Sequence, residues 1–138
     1  LPRSLGAADY IDSRTQDVAA ELQRMGGARV VLATVAAASA MEPALRGLDV
    51  DGQLLVVGAS AEPLPVDTGT MIGQRLSIQG WPSGTCVDSE DTMRFSVQMG
   101  VRPMIEVMPL ERAQEALERM LSGAARFRMV LSTEPLVT

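Results

Sequence analysis

Runs of consecutive apolar residues alternate along this chain with segments in which apolar residues recur every three or four positions. The runs at residues 29–35, 53–58 and 76–80 predict strands that are buried on both faces of a parallel sheet. Helical spacing over residues 15–25 and 39–48 predicts a helix before each of the first two runs. The first part of the chain therefore has the strand and helix rhythm of an α/β protein.

The remaining elements are predicted from shorter patterns and from turn and cap residues. They are the end of a strand at Tyr10 and Ile11, a weak helix over 70–75, a helix from Asp88 or Ser89 to Met99, a strand over 104–108, a helix over 111–121 and a strand over 127–132. The spacing of Ser39 and Glu42 predicts a capping box at the start of the second helix. On helix 111–121, Glu115 and Arg119 are spaced to form an ion pair.

This order of elements predicts a doubly wound parallel sheet with right-handed crossovers. Such sheets bind nucleotides beyond the carboxyl ends of their strands, and a glycine-rich turn with the pattern G-x-G-x-x-G often follows the first strand. That pattern does not occur in the sequence. The elements favour a nucleotide ligand, but the motif that would hold its phosphates is missing from this chain.

Composition narrows the class of protein. The 138 residues are 46% apolar and 21% charged, which is typical of one ordinary globular domain. Twelve Lys and Arg against 17 Asp and Glu give a net charge of −5, which opposes binding to nucleic acid or to anionic lipid. The longest uncharged apolar run, residues 30–41, is shorter than the roughly 20 residues that span a bilayer. We therefore expect a soluble, cytoplasmic protein with neither nucleic acid nor a membrane as partner.

Two residue types are scarce. There is no histidine, so catalytic triads and zinc sites that use histidine cannot be built from this chain alone. Cys86 is the single cysteine, which excludes an internal disulfide and a thiolate cluster. No base or second thiol adjoins it in the sequence, so we expect a quiet, partly buried thiol.

Six segments together carry a resemblance to a known family. They are SLGAADYIDS (4–13), VVLATV (30–35), GQLLVVGAS (52–60), SIQGWPSGT (77–85), RPMIEVMPLERAQEALERMLSG (102–123) and RFRMVL (126–131). In this order and spacing, the chain resembles the medium-chain dehydrogenases. The resemblance is to the zinc-dependent alcohol dehydrogenases of the cinnamyl-alcohol and aldehyde-reductase group, and it covers only the C-terminal portion of such an enzyme.

The resemblance implies a fold in two parts. Residues 1–82 would be the C-terminal part of a dinucleotide-binding Rossmann domain, a partial doubly wound sheet. Residues 83–138 would be the C-terminal return into a GroES-like catalytic domain. In the strand order 3-2-1-4-5-6, the segment at Tyr10 and Ile11 and the strand at 29–35 would lack their partner strands. The 29–35 strand would then present an apolar edge, so we expect the chain to be unstable alone as a monomer.

The implied activity is the interconversion of primary alcohols and aldehydes by hydride transfer, with NAD or NADP and with zinc. The substrate would be a small molecule. The zinc ligands, the glycine-rich turn and the residue that distinguishes NAD from NADP would all lie before Leu1. This chain alone supplies no catalytic residue and no metal ligand, and we expect it to be inactive by itself.

The resemblance places cofactor contacts at the ends of the predicted strands. Thr34, Val35 and Ala36 would lie near the nicotinamide ribose, because ligands collect at the carboxyl ends of parallel strands. The alternative for them is a plain core strand.

Further contacts fall on the next two strand ends. The nicotinamide carboxamide would be held by main-chain groups at Val57, Gly58, Ala59, Trp81 and Ser83. A half-buried aromatic residue at a domain junction is the alternative for Trp81.

Arg128, in RFRMVL, would reach the cofactor pyrophosphate, since a guanidinium offers a planar fork of donors to phosphate oxygens. A solvated arginine at a strand edge is the alternative, and Arg126 is the neighbour with which it is most easily confused.

Two other functions stay open at this point. A zinc-free quinone or enoyl reductase uses the same kind of cofactor domain without metal. A non-catalytic oligomerisation module would pair the strand at 76–80 with its copy across a two-fold axis, and the same edge would make the enzyme a homo-oligomer, such as a dimer.

Overall fold

The computed structural model describes residues 2–133. It divides into two compact units, Leu1–Ser83 and Gly84–Thr138. In the described residues, the first unit holds a three-stranded sheet and the second a two-stranded sheet, and all paired strands are parallel. The predicted α/β class with parallel strands is confirmed.

The helices and strands follow in the expected alternation. The helices are α1 (Val18–Arg24), α2 (Ala38–Arg46), α3 (Thr68–Gln74), α4 (Cys86–Gln98) and α5 (Ala113–Leu121). The strands are β1 (Ala28–Ala33), β2 (Leu48–Val56), β3 (Ser77–Gly80), β4 (Ile105–Pro109) and β5 (Arg128–Ser132). Short 3-10 turns lie at Arg3–Leu5 and Leu110–Arg112.

The sheet of the first unit has the order β1-β2-β3, with β2 in the centre. Val31, Leu54 and Ile78 are in register across the three strands. They lie on the face that packs against the helices, where Leu48 and Leu54 are fully buried. Met41 and Leu45 of α2 belong to the same cluster, so the amphipathic helix α2 covers this face.

The opposite face of this sheet is open among the described residues. Val30 and Leu32 on β1 are 56% and 58% exposed. Leu55 and Gln79 are in register with Leu32, and Gln79 accepts a hydrogen bond from Gln53 Nε2 at 3.1 Å. Among residues 2–133, the prediction that these strands are covered on both faces therefore holds for one face only.

The prediction of a strand end at Tyr10 and Ile11 is wrong. Both residues lie outside any helix or strand, and Tyr10 is half exposed. A strand needs a neighbour to satisfy its backbone groups, and no described strand pairs with this segment. The expectation that the segment lacks its partner strand agrees with this result.

Two helix caps differ from the prediction. The N-cap of α2 is Ala37, and Ser39 lies inside the helix, so the predicted capping box does not form. The N-cap of α4 is Thr85 rather than Asp88 or Ser89. Asp88 is instead the third residue of a capping box, in which the Thr85 hydroxyl and the Asp88 carboxylate each accept the other residue's backbone N–H.

A bidentate ion pair joins two residues whose backbones are in the left-handed region. Asp51, where β2 runs irregularly, has φ 61°, and Arg75, the C-cap of α3, has φ 54°. Arg75 Nε and Nη2 donate to the two carboxylate oxygens of Asp51, each at 2.7 Å. These hydrogen bonds lower the pKa of Asp51. The ion pair links two residues whose left-handed backbone conformation costs free energy for any residue other than glycine.

The second unit pairs β4 with β5, with α5 against both strands. Met108 and Ala116 are buried there. The predicted ion pair between Glu115 and Arg119 is replaced by two others, since Glu115 pairs with Arg112 and Arg119 pairs with Glu106 of β4. Cys86, the first residue of α4, is exposed rather than partly buried.

Candidate cofactor-binding site

The carboxyl ends of β1, β2 and β3 are joined by main-chain hydrogen bonds. The N–H groups of Val57 and Gly58 donate to the Ala33 carbonyl at 3.0 and 3.1 Å. The N–H of Trp81 donates to the Val56 carbonyl at 2.9 Å. The three segments that sequence analysis selected in the first unit therefore meet at one edge of the sheet.

Gly58 allows the ends of β1 and β2 to approach closely. A Cβ at this position would overlap the carbonyl oxygen of Val35 and would lie 2.8 Å from that of Thr34. Real side chains do not tolerate such contacts without a backbone shift. Glycine at 58 is therefore a steric requirement of the strand ends.

Several main-chain groups at this edge are free. Across the described range 2–133, no hydrogen bond engages the backbone N–H or C=O of Val35, Ala36 or Ala59. A primary carboxamide needs both donors and acceptors, and such groups supply both. The edge thus fits the amide end of a nicotinamide.

The same edge carries no ionisable side chain. Residues 34–36 are Thr, Val and Ala, and residues 57–59 are Val, Gly and Ala. Val35 and Val57 are exposed, so they offer apolar surface beside the free main-chain groups. Neutral dipoles and apolar contact suit a ring that changes charge during hydride exchange.

Trp81 lies at the rim of a concavity on the open face. The concavity has a volume of about 420 Å³ and is lined by Leu32, Gln53, Leu55, Val57, Gln79 and Trp81. Trp81 is 61% exposed among the described residues. Ser83 follows in the exposed segment that leads to α4.

Arg128 belongs to the second unit and begins β5. It is exposed, and its guanidinium makes no ion pair with any residue between 2 and 133. Arg126 differs, because its Nη1 donates to the carbonyls of Gly123 and Ala125 at 3.0 and 3.2 Å. The two arginines therefore differ: the Arg126 side chain is hydrogen-bonded, whereas the Arg128 side chain has no ion-pair partner in residues 2–133.

Ser60 is a positioning residue that sequence analysis missed. Its hydroxyl oxygen accepts the N–H of Ala38, the first residue of α2, at 3.2 Å, and the N–H of Glu62 at 3.1 Å. This replaces the predicted Ser39 cap and links the start of α2 to the loop after β2. The serine follows Gly58-Ala59 directly, but nothing in that spacing predicts a partner 22 residues away.

The described part of the chain does not contain a metal centre. No group of three or more His, Cys, Asp or Glu residues there could hold an ion. The described residues therefore do not fit zinc, which the family's description implies for the whole enzyme. Within residues 2–133, no helix combines the length and the apolar composition that a bilayer crossing requires.

Comparison with a protein-family model decides the family. Residues 1–102 match the model described as zinc-binding dehydrogenase. The chain belongs to the zinc-binding dehydrogenase family. This confirms the resemblance to zinc-type medium-chain alcohol dehydrogenases, together with the Rossmann-type parallel sheet.

Several proteins similar to this zinc-binding dehydrogenase chain are alcohol dehydrogenases. The chain is 38% identical over 130 residues to alcohol dehydrogenase patD of Penicillium expansum, covering 94% of this chain and 38% of that protein. The alcohol dehydrogenase of Aeropyrum pernix superposes with a TM-score of 0.83 at 27% identity, over 94% of this chain and 38% of that one. The cinnamyl alcohol dehydrogenase of Sorghum bicolor gives a TM-score of 0.80 at 26% identity, over 99% and 39%. The chain thus spans about two fifths of the length of these relatives.

Proposed function

We propose that this chain forms the nicotinamide side of the cofactor domain in a zinc-dependent alcohol dehydrogenase. The enzyme would interconvert primary alcohols and aldehydes, with NAD or NADP as cofactor. One observation carries the proposal: the free main-chain groups of Val35, Ala36 and Ala59 meet at the carboxyl edge of the first sheet. Family membership and the names of the relatives support the reaction class.

The residues of this chain bind and orient the cofactor in this proposal. A bound nicotinamide supplies hydride exchange with the substrate carbon. Main-chain N–H groups at the edge would donate to the carboxamide oxygen, and main-chain carbonyls would accept from its amide nitrogen. Thr34, Val35 and Ala36 would lie beside the ribose, and the exposed Val57 side chain would offer apolar surface to the ring. These contacts would orient the cofactor toward the substrate, which is the positioning part of catalysis.

Two other contacts belong to the same proposal. Main-chain groups of Trp81 and Ser83 complete the carboxamide site. The N–H of Trp81 donates to the Val56 carbonyl, so this segment lies beside the end of β2 and the Trp81 carbonyl is its remaining main-chain group. Arg128 binds the pyrophosphate, which the absence of an ion pair from its guanidinium in residues 2–133 supports. A guanidinium pairs with phosphate oxygens through charge-assisted hydrogen bonds.

The domain division and the assembly are also proposals. Residues 1–82 belong to the cofactor domain and 83–138 to the return into the catalytic domain; the boundary between Ser83 and Gly84 supports this division. A homo-oligomer forms through β3, which is an edge strand among the described strands. The cytoplasmic location stays a prediction.

The experiment uses the natural polypeptide that contains this chain. Formation of reduced nicotinamide is followed with a primary alcohol and with NAD or NADP, before and after chelation and after zinc is restored. We expect activity that chelation abolishes and zinc restores. Activity that survives chelation would favour the zinc-free reductase. No dinucleotide binding at all would favour the non-catalytic module.

A further inference from the structure

Ser60 holds the start of α2 from outside the helix. The N–H of Ala38, the first residue of α2, donates to the Ser60 hydroxyl oxygen at 3.2 Å, and that oxygen also accepts the N–H of Glu62 at 3.1 Å. Ala38 is 4% exposed, so its N–H depends on a partner within the protein. The N-cap residue, Ala37, makes no side-chain capping bond. The Ser60 hydroxyl therefore supplies the missing cap from a different segment.

This bond closes a hydrogen-bonded ring around the ends of β1 and β2. On one side of the ring, the N–H groups of Val57 and Gly58 donate to the Ala33 carbonyl at 3.0 and 3.1 Å. On the other side, the N–H of Ala38 donates to Ser60. The segment that follows Ala33 and the segment that follows Gly58 are thus joined at both ends. They cannot move apart unless one of these bonds breaks.

The free main-chain groups of the proposed cofactor site lie inside this ring. Val35 and Ala36 belong to one segment and Ala59 to the other, and no hydrogen bond within residues 2–133 engages their N–H or C=O groups. Because these groups have no partner of their own, their spacing depends on the bonds at the ends of the segments. Gly58 adds a steric limit, since a Cβ there would overlap the Val35 carbonyl oxygen. A site that is fixed before its ligand arrives loses less entropy on binding.

We infer that Ser60 is a positioning residue for the nicotinamide site: its hydroxyl fixes segments 34–37 and 58–60 to one another, so that their free main-chain groups are in place before the dinucleotide binds. The inference rests on the proposed function, because it takes the ligand of these groups to be the nicotinamide of NAD or NADP. Ser60 acts through the main chain on either side of the ring and needs no contact of its own with the cofactor.

The test measures dinucleotide affinity in the natural polypeptide that contains this chain. The dissociation constants of NADH and NADPH are determined by calorimetry for the wild type, Ser60→Ala and Ser60→Thr. Ser60→Ala removes the acceptor of two N–H groups, so we expect the dissociation constant of the dinucleotide that binds to rise about threefold to tenfold. Ser60→Thr keeps the hydroxyl, and its dissociation constant should stay within about twofold of the wild-type value.

Asp67→Ala is the matched control. The Asp67 carboxylate also accepts two backbone N–H groups at the start of a helix, those of Gly69 and Thr70 at 3.1 and 3.2 Å. That helix is α3, and these bonds hold neither segment of the ring. Asp67→Ala and Ser60→Ala should both lower the free energy of unfolding, because each removes a helix cap. Only Ser60→Ala should weaken dinucleotide binding.

Residue-resolved hydrogen–deuterium exchange without ligand tests the ring independently of binding. In the wild type, the Ala38 N–H should be better protected than the free N–H groups of Val35 and Ala36, and Ser60→Ala should reduce that protection. If the Ala38 N–H is as poorly protected as these neighbours in the wild type, the ring does not form and the inference is overturned. This measurement decides the question even where Ser60→Ala does not fold.

The affinities give three further ways to overturn the inference. They are that Ser60→Ala binds as tightly as the wild type, that Ser60→Thr binds as weakly as Ser60→Ala, or that Asp67→Ala weakens binding as much as Ser60→Ala. The last result would assign Ser60 a general structural role. If the wild-type polypeptide binds neither dinucleotide, the proposed function fails, whereas unchanged binding by Ser60→Ala overturns only the role of Ser60.

Discussion

The two faces of the first sheet come from the same three strands but have opposite environments. On one face, Val31, Leu54 and Ile78 pack under α2 and α3, and Leu54 is fully buried. On the other, Val30 and Leu32 are more than half exposed. The open face is apolar at Val30, Leu32 and Leu55, although it also carries Gln53 and Gln79. The difference shows that this pattern is suited to a second covering layer that the described residues do not supply.

The proposed cofactor site lies at the carboxyl ends of these strands. Its main-chain groups lie in the segments that directly follow β1 and β2. The open face beside it leaves Trp81 and the neighbouring concavity exposed.

The largest effect is expected when the chain is produced alone. The open face and the single neighbour of β1 should make the 138-residue chain associate or precipitate rather than remain a stable monomer. Replacing Val30 and Leu32 by Thr should raise the soluble fraction. Analytical ultracentrifugation over a range of concentrations measures this. A soluble monomer that unfolds cooperatively would show that the open face does not drive association of the chain.

The second-largest effect is expected when a buried side chain on the covered face is shortened. Leu54→Ala should lower the free energy of unfolding by about 2–5 kcal/mol, because it leaves a cavity in the centre of the sheet. Ile72→Ala on α3 is the control, since Ile72 is 79% exposed and its change should stay within about 0.5 kcal/mol. Denaturant unfolding of the polypeptide that carries this chain measures both. Equal losses would mean that the covered face is not the core.

Alanine substitutions at two glycines of the first unit should change the free energy of unfolding in opposite directions. Gly58→Ala forces a Cβ against the Val35 carbonyl and should destabilise the fold by about 1–3 kcal/mol. Gly73→Ala on α3 meets nothing within 4 Å and should stabilise by about 0.5–1 kcal/mol, because alanine is the better helix former. Thermal unfolding of both variants provides the measurement. A neutral Gly58→Ala would contradict the close approach of β1 and β2.

The smallest expected effect concerns the pair of Asp51 and Arg75, and it depends on pH. The folded-state pKa of Asp51 is lowered below its ordinary value of 3.8, chiefly by hydrogen bonds from Arg75. The resulting stability is complete above the unfolded-state pKa and is lost as pH falls through the folded-state value. Asp51→Asn should therefore destabilise slightly at neutral pH, and its difference from wild type should shrink in acid. A difference independent of pH would exclude the ion pair as the cause.

Local patterns predicted most of the architecture. The buried runs became β1, β2 and β3, and the amphipathic pattern after Pro109 became α5, because period and propensity agree there. The failures came where several local choices compete. Thr85, Asp88 and Ser89 are all good caps, and only the structure selects Thr85.

Contacts between distant elements could not be predicted from local patterns. Glu115 lies at the right spacing for Arg119, yet Arg119 pairs with Glu106, 13 residues away on β4. The hydrogen bond from the Ala38 N–H to the Ser60 hydroxyl also joins residues that are far apart in the sequence. For the candidate site, the resemblance identified the segments, and the structure added the steric role of Gly58 and the free main-chain groups.

The most direct test of the central claim is hydrogen–deuterium exchange, read by mass spectrometry, with and without a saturating nicotinamide dinucleotide. The free N–H groups of residues 35, 36 and 59 should exchange rapidly in the polypeptide that carries this chain. Bound NADH or NADPH should slow exchange in peptides covering 34–36 and 57–59. Bound dinucleotide with unchanged exchange in both peptides would contradict the proposed site.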